Sequence, residues 1–319
     1  MSEIYCPESF PSPASDIEYT SSLSGLERAM REGKILKANV LFCDSSMRLH
    51  IDLGEIRGII ERSEAVYCRG DETIKDIAVI SRVGKRVAFK VIGFTSERGQ
   101  TVALLSRRLA QQECNEKYVS LLRAGDVIPA TVTHLESFGA FLDIGCGLSS
   151  LLTVDSISVS RISHPHDRFG VGENLYVVVK SRDADSGRIY VSMRELLGTW
   201  EENAAGFEVG QTVSGIIRSV ESYGIFVELT PNLAGLAEIK ENMEDPSSLV
   251  GTASAVYIKS ILPDRMKIKL VLIDSCRQSD IVRPTYPIHY FTDPQQTPHI
   301  SYWRYSPPSS RKLIESVFE

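Results

Sequence analysis

A stretch near the middle of the chain recurs later, and this repetition constrains the fold more than any other feature. Residues 136–145 have the sequence ESFGAFLDIG, which returns eighty-five positions later as ESYGIFVEL from Glu221. In both copies apolar residues alternate with other side chains, and a period of two sends the two sets to opposite faces of a β-strand. One face therefore belongs to a core. The other carries an aromatic side chain, Phe141 or Phe226, beside an acidic one.

The same order of short apolar segments occurs three times along the chain. A Val-Gly pair precedes the fourth segment of each copy, at Val83, Val171 and Val250. The middle copy predicts five strands, over 127–132, 138–144, 148–152, 175–180 and 188–192. Five strands with a longer connection between the third and the fourth are typical of an OB-type barrel. We therefore predict an all-β fold of three tandem five-stranded barrels joined by short helical linkers, with an aromatic-rich C-terminal extension.

Composition shifts and punctuation along the chain predict its division. We expect a flexible leader over 1–23, a degenerate first repeat with an N-terminal helix over 24–110, a linker helix over 111–122, a second repeat over 123–196, a linker over 197–206, a third repeat over 207–276 and the C-terminal extension over 277–319. In the first repeat, alternation predicts four strands, over 36–40, 49–53, 87–91 and 101–105. The many aromatics of the extension argue against disorder. We expect it to fold back on the third barrel, with Ser309 or Ser310 capping a helix over 311–318.

Composition favours a globular, cytoplasmic protein. The chain is 43% hydrophobic and 24% charged, and its first residues lack the basic and apolar regions of a signal peptide. It contains no apolar run long enough for a membrane helix. The six cysteines form no Cys-x-x-Cys pair, which argues against a zinc knuckle and a disulfide framework. We expect no cofactor, no metal and no membrane association.

The charge distribution limits how the chain can bind nucleic acid. The net charge is −6, which excludes a protein that coats nucleic acid through bulk positive charge. Over 31–110, Lys and Arg exceed Asp and Glu by five, whereas 122–199 and 206–276 are acidic by two and by three. Contacts to RNA by the two later repeats must therefore come from a few well-placed side chains. The basic first repeat fits a phosphate-binding surface or a docking face, and we favour docking.

These motifs resemble the S1 domain, the RNA-binding OB-fold repeated in the bacterial ribosomal protein S1 family. The resemblance rests on Gly-x-x-x-x-(Ala/Gly)-x-Val, on Phe/Tyr-Gly-x-Phe, on the late Val-Gly and on a closing Arg-Ile-x-Val-Ser. The connector with Leu196-Leu197 and Trp200-Glu201 resembles the joint between successive repeats of that family. The resemblance covers about residues 26–275 and is most specific in the second repeat. It implies a non-catalytic protein that binds single-stranded RNA.

The resemblance also implies an RNA-binding face in the two later repeats. In that family the face combines two aromatics, a histidine after the third strand, an aspartate in the last turn and a basic residue that opens the last strand. The corresponding residues of the second repeat are Phe138, Phe141, Asp183 and Arg188, with Thr153 in the histidine position. Those of the third repeat are Tyr223, Phe226 and Lys267, with Glu238 in the histidine position and Pro263 in the aspartate position. By alternation in the last strand, Lys269 extends the basic row on the same face. In the first repeat Met47 and His50 replace the aromatic pair, so we expect no stacking platform there.

Several alternatives stay open at this point. The aromatics could instead be buried against a neighbouring repeat. His164-Pro165-His166 could suggest a metal pair, but two histidines without a third ligand are weak evidence. The main hypothesis is a monomeric ribosomal protein S1-like protein that holds mRNA near the small ribosomal subunit, docked through its first repeat. A protein-interaction scaffold and the RNA-targeting subunit of a nuclease or transcription complex are the alternatives.

Overall fold

The chain is mostly β, with short helices, and its main strands form three closed five-stranded barrels. The structure, a computed structural model, describes residues 5–11, 15–68, 73–183, 186–239, 246–275 and 288–318. The strands are β1 Leu36–Cys43, β2 Leu49–Leu53, β3 Ile56–Ile60, β4 Arg86–Glu97, β5 Gln100–Ser106, β6 Val127–Glu136, β7 Gly139–Asp143, β8 Ser149–Thr153, β9 Asn174–Arg182, β10 Ile189–Ser192, β11 Thr212–Glu221, β12 Gly224–Thr230, β13 Leu233–Ala237, β14 Ala253–Leu262, β15 Lys267–Ser275, β16 Tyr302–Arg304 and β17 Glu315–Val317.

Short helices lie before, between and within the barrels. The α-helices are α1 Ser15–Thr20, α2 Leu23–Glu32, α3 Asp76–Ile80, α4 Arg107–Lys117, α5 Val154–Ile157 and α6 Trp200–Ala204. Single 3-10 turns cover Arg62–Glu64, Val119–Leu121, Pro165–Asp167, Arg194–Leu197, Pro246–Leu249 and Pro263–Arg265. The helix expected after Ser24 is α2, and Gly33 ends it in the left-handed conformation with φ 63°. The Thr199 side chain and Glu202 form a capping box that starts α6.

All three barrels share one strand order. In the first barrel the order is β1-β2-β3-β5-β4, and β4 closes on β1; the other two barrels repeat this pattern. In each barrel the third and fifth strands pair in parallel, as β3 with β5, β8 with β10 and β13 with β15. Such a parallel pair requires the chain to cross between the third and fourth strands, and this explains the longer connection seen in the sequence. The prediction of three five-stranded barrels is confirmed.

Alternation correctly identified the core side of the repeated strand. Ala140, Leu142 and Ile144 are at most 1% exposed, and Ile225 and Val227 of the third repeat are fully buried. Their burial leaves the intervening residues, among them Phe141 and Phe226, on the outward face. The barrels thus present the aromatics away from their own cores.

The chain divides into two compact units. The first consists of Met1–Leu122, Pro129–Thr131 and Leu142–Ser149, and the second of Arg123–Ile128, Val132–Phe141 and Ser150–Glu319. Every residue of the predicted RNA-binding face lies in the second unit. The contacts within that face are therefore internal to one unit.

The N-terminal segment differs from the flexible leader that we expected over 1–23. The structure places α1 in this segment, and Glu8 is only 5% exposed. Its carboxylate accepts hydrogen bonds from Arg107 Nε at 2.8 Å and from the backbone N of Ala88 at 3.0 Å. A buried carboxylate needs such partners, and composition does not reveal a partner one hundred residues away. Residues 1–4 and 12–14 lie outside the described residues.

The structure corrects three further details. The first repeat has a strand that we missed, β3, because its sequence IRGII breaks the period of two with a glycine. The linker helix α4 begins at Arg107 rather than 111, since the Ser106 side chain accepts a hydrogen bond from Leu109 N and caps it there. The helix expected over 311–318 is wrong, because β17 lies in that stretch and pairs with β16. Residues 276–287 lie outside the described part of the chain.

Candidate nucleic-acid interface

The middle barrel presents two phenylalanines together on its outward face. Phe138 lies in the turn before β7 and is 53% exposed, whereas Phe141 lies within β7 and is half-buried. Their ring centroids are 6.1 Å apart and the rings are perpendicular. This edge-to-face arrangement is a favourable one for aromatic pairs, so the two rings hold each other in place. Phe138 therefore presents ring surface to solvent.

The third barrel repeats this arrangement. Tyr223, in the turn before β12, is 66% exposed, and Phe226 within β12 is half-buried. Their centroids are again 6.1 Å apart, with an angle of 88° between the rings. In both barrels the two aromatics that the sequence predicts for one face are therefore close together.

Basic residues share the outward face of the third barrel with its aromatics. Phe226 lies opposite Leu236 of β13, and Leu236 lies opposite Lys269 of β15. Neighbouring strands are about 4.8 Å apart, so the backbones of Phe226 and Lys269 are roughly 10 Å apart across the sheet. Lys267 and Lys269 are both exposed, because the alternate residues Ile268 and Leu270 point into the core. Aromatic and cationic groups thus lie within one nucleotide's reach of each other.

In the middle barrel a tyrosine takes the position of Lys269. Tyr190 lies opposite Leu151 of β8, as Lys269 lies opposite Leu236. Arg188, two residues earlier, is exposed and corresponds to Lys267. The middle face therefore has a third aromatic and one basic residue where the third face has two lysines. We did not predict Tyr190, although its alternation with buried Ile189 and Val191 places it on this face.

Two of the predicted residues have structural partners in the fold. Thr153 is half-buried, and its hydroxyl donates to Ser156 Oγ at 3.0 Å and lowers the pKa of Asp155 by a hydrogen bond. The Asp183 carboxylate accepts hydrogen bonds from the backbone N and the hydroxyl of Ser186, both at 2.7 Å, and so shapes the turn before Arg188. Glu238, by contrast, is exposed at the end of β13.

His134 joins the middle face although no sequence pattern selected it. Its ring stacks on Phe141 with centroids 6.3 Å apart and 28° between the planes, and its side chain is 62% exposed. His134 aligns with Ser219, which lies opposite Phe226 directly after a β-bulge. A bulge reverses the alternation, so counting by twos from the core residue Val132 assigns His134 to the wrong face. Knowledge of where the bulge lies would have identified His134 as a residue of this face.

The corresponding face of the first barrel has a different character. His50 replaces the second phenylalanine, but it is 5% exposed and lies under Phe42, with ring centroids 4.2 Å apart. Its Nε2 is 3.0 Å from Asp44 Oδ2, and this hydrogen bond holds the pKa of Asp44 well below its usual range. Met47 is in the preceding turn with φ 62°. The first barrel therefore pairs Phe42 with a covered histidine instead of presenting two open rings.

A glycine fixes the backbone between the two phenylalanines. A Cβ on Gly139 would clash with the carbonyl oxygen of Leu152 and lie 3.0 Å from the Cα of Thr153. We expect Gly139→Ala to lower the free energy of unfolding of the second unit by about 1–3 kcal/mol, because both obstacles are backbone atoms. Urea unfolding measures this change. Gly170→Ala is the control, since its Cβ would meet only Glu173 Oε1 at 3.6 Å; equal midpoints for the two variants would contradict the expectation.

Other kinds of site find no support within the described ranges. No group of three or more His, Cys, Asp or Glu side chains is arranged there to hold a metal ion. Among the same residues, no helix is long and apolar enough to span a membrane.

Comparisons with known proteins find a matching family and similar sequences. The family model described as the S1 RNA-binding domain matches residues 121–194. Small ribosomal subunit protein bS1 of Staphylococcus aureus is 30% identical over 230 residues, which cover 70% of this chain and 56% of the relative. The same protein of Staphylococcus epidermidis is 30% identical over 252 residues, covering 76% and 62%. The chain thus spans less than two thirds of the length of these relatives.

A solved structure of a multidomain protein with nucleic-acid-binding domains from Streptococcus pneumoniae also matches. It is 14% identical, covers 76% of this chain and 74% of its own, and has a TM-score of 0.25. A similarity this low supports no inference about function.

Proposed function

Because this chain is an S1 RNA-binding-domain protein that resembles bacterial ribosomal protein bS1, we propose that it binds single-stranded RNA without catalysis, through its middle and third barrels. One observation carries the proposal: the same perpendicular aromatic pair, 6.1 Å between centroids, occurs on the outward faces of two barrels beside exposed basic residues. Aromatic rings stack on bases of any sequence, and nearby cations contact phosphates. Duplex RNA is disfavoured as a ligand because its bases are not splayed out to stack.

Within each face, the residues divide into two roles. Phe138, Phe141, Tyr223 and Phe226 stack on bases, with Tyr190 and His134 adding ring surface in the middle barrel. Arg188, Lys267 and Lys269 contact phosphates. Thr153 and Asp183 support the face through the hydrogen bonds described above, and exposed Glu238 disfavours phosphate close to the third barrel.

The cellular role that we propose is to hold mRNA near the small ribosomal subunit, as a monomer in the cytoplasm. The first barrel is the docking element, because it carries the excess positive charge and lacks the open aromatic pair. Co-sedimentation with purified small subunits tests this role. We expect deletion of the first repeat to abolish co-sedimentation and to leave binding of a short RNA intact. Co-purification with a nuclease or a transcription complex, without co-sedimentation, would contradict it.

The salt dependence of RNA binding tests the phosphate contacts. On single strands, each neutralised phosphate contributes about 0.7 to the slope of log affinity against log salt concentration. We expect Arg188→Ala to reduce the slope by about 0.7 and Lys267→Ala with Lys269→Ala by about 1.4. Fluorescence anisotropy with a labelled twelve-nucleotide oligouridylate, at several KCl concentrations, measures these slopes.

The control for this experiment is Lys312→Ala, which removes an exposed lysine from the C-terminal segment. Its slope should equal that of the wild type. Undetectable binding by the wild type at low salt would remove the RNA-binding proposal and favour the scaffold alternative. If the slopes of the Arg188 and lysine variants equal that of the wild type, these residues do not contact phosphates.

A further inference from the structure

The connection between β8 and β9 of the middle barrel carries a pair of histidines that the proposed face does not use. The rings of His164 and His166 have centroids 4.3 Å apart and are tilted by 47°. The backbone N of His166 donates to His164 Nδ1 at 3.1 Å, which fixes the first ring at the start of the turn Pro165–Asp167. The side chain of His166 is 37% exposed. The pair is thus an ordered aromatic surface in contact with solvent.

Two ion pairs anchor this connection to the third barrel. Arg168 donates two hydrogen bonds to the Glu228 carboxylate, from Nη1 to Oε1 at 2.7 Å and from Nη2 to Oε2 at 2.6 Å. Arg218 of β11 donates to the same carboxylate from Nε at 2.9 Å and also contacts Asp167 Oδ1 at 3.4 Å. Glu228 is fully buried. Asp167, which directly follows His166, therefore contacts β11 of the third barrel.

The anchor point lies beside the aromatic pair of the third barrel. Glu228 follows Phe226 by two residues in β12, and the register between β12 and β13 is continuous over both. The two side chains hence leave the same outward face, with their backbones about 7 Å apart. Two hydrogen bonds secure the connection further: Ser160 N donates to the carbonyl oxygen of Pro231 at 3.2 Å, and Val159 N donates to Asn232 Oδ1 at 2.9 Å. The histidine pair is therefore held at the border of the third face.

We infer that His164 and His166 form a further contact for the RNA strand that lies on the third barrel. This inference rests on the proposed function and extends it. Histidine rings stack on unpaired bases and donate hydrogen bonds to them. The exposed guanidinium of Arg161, in the same connection, adds a phosphate contact. The loop of one barrel thereby completes the face of the next, where Glu238 takes the histidine position.

The chemistry of the pair favours RNA over a metal ion. A structural metal site needs about four ligands, and the nearest carboxylate, that of Asp167, is held by Arg218. No group of three candidate ligand side chains occurs among the residues that the structure describes. We expect the RNA affinity of the wild type to be the same with and without EDTA. A loss of affinity in EDTA would assign the pair to a metal ion and overturn the inference.

A double-mutant cycle tests the inference with the full chain and the twelve-nucleotide oligouridylate. We expect His164→Ala with His166→Ala to weaken binding at least about fivefold, since one lost base stack corresponds to about 5- to 150-fold. The loss should persist in a Phe138→Ala, Phe141→Ala background. It should shrink to less than twofold in a Tyr223→Ala, Phe226→Ala background, because the strand is then no longer held on the third barrel.

The outcomes separate the inference from the proposed function. His164→Phe with His166→Phe keeps the stacking surface and should restore most of the affinity, and equal melting temperatures verify the folding of every variant. Wild-type affinity of the double alanine variant, or a loss that is unchanged in the Tyr223, Phe226 background, overturns the inference alone. Full affinity of both aromatic double variants overturns the proposed function itself.

Discussion

Phe138→Ala combined with Phe141→Ala should lower the affinity for a twelve-nucleotide oligouridylate about 30-fold or more. Each stacked base contributes about 1–3 kcal/mol by alanine substitution, and the variant removes two rings. Both rings extend from the outward face, with Phe138 53% exposed, so their removal opens no cavity in the barrel core. The loss should therefore appear in binding and leave the melting temperature within a few degrees of the wild type. Fluorescence anisotropy and thermal unfolding of the same samples measure the two effects.

The control is Tyr302→Ala, which removes a ring that is 52% exposed but lies outside the barrels, on β16. Its affinity should equal that of the wild type. Wild-type affinity of the Phe138, Phe141 variant would show that stacking on the middle barrel does not hold the strand. A large drop in melting temperature would instead show that the pair supports the fold.

The matching variant of the third barrel, Tyr223→Ala with Phe226→Ala, should lose less. The two faces have the same aromatic pair but differ around it. The middle face adds Tyr190 and the stacked ring of His134, whereas the third face offers lysines and the exposed acid Glu238. Rings should hence contribute more affinity in the middle barrel, and charge should contribute a larger share in the third barrel than in the middle one, although the aromatic pair is needed to hold the strand on either face. Removing the two lysines of the third barrel should therefore reduce the salt dependence of binding more than removing Arg188 of the middle barrel.

The sequence predicted those parts of the fold that local patterns determine. Alternation placed Ala140 and Leu142 in the core and Phe141 outside, because side chains in a strand alternate strictly between faces. Strict alternation would place His134 and Phe42 on the wrong face. The strand register shifts between Val40 and Phe42 in β1 and between Ile217 and Ser219 in β11. Phe42 and Ser219 occupy the position of His134, and the residue types do not reveal such a bulge.

Local sequence patterns do not predict contacts between distant segments. The Glu8 side chain is buried only because Arg107, far along the chain, neutralises it. Local composition around Glu8, with its prolines and serines, favours disorder. Likewise, the location of the histidine pair depends on Arg168, which binds Glu228 of another barrel. A repeat pattern predicts each barrel but not the side chains that connect one barrel to the next.

Glu228→Gln should lower the free energy of unfolding of the second unit by about 3–5 kcal/mol. The fully buried carboxylate neutralises two guanidinium groups, those of Arg168 and Arg218, whose side chains are 4% and 9% exposed. Glutamine is similar in shape but uncharged, so Arg168 would stay buried without its ionic partner and Arg218 would keep only Asp167. Breaking a buried pair in this way costs several kcal/mol. Urea unfolding, followed by the fluorescence of buried Trp200 and Trp303 in this unit, measures the change.

The control is Glu221→Gln, an exposed position at the end of β11, which should change stability by less than about 0.5 kcal/mol. A second variant separates charge from packing. Arg168→Met with Glu228→Leu removes the buried bidentate pair and leaves Arg218 its contact with Asp167. Since Nε of Arg168 is buried without a hydrogen bond in the described part of the chain, the native pair does not fully offset its own desolvation. The apolar pair should therefore recover much of the lost stability. If Glu228→Gln unfolds at the same urea concentration as the wild type, the ion pairs do not hold the histidine-bearing connection on the third barrel.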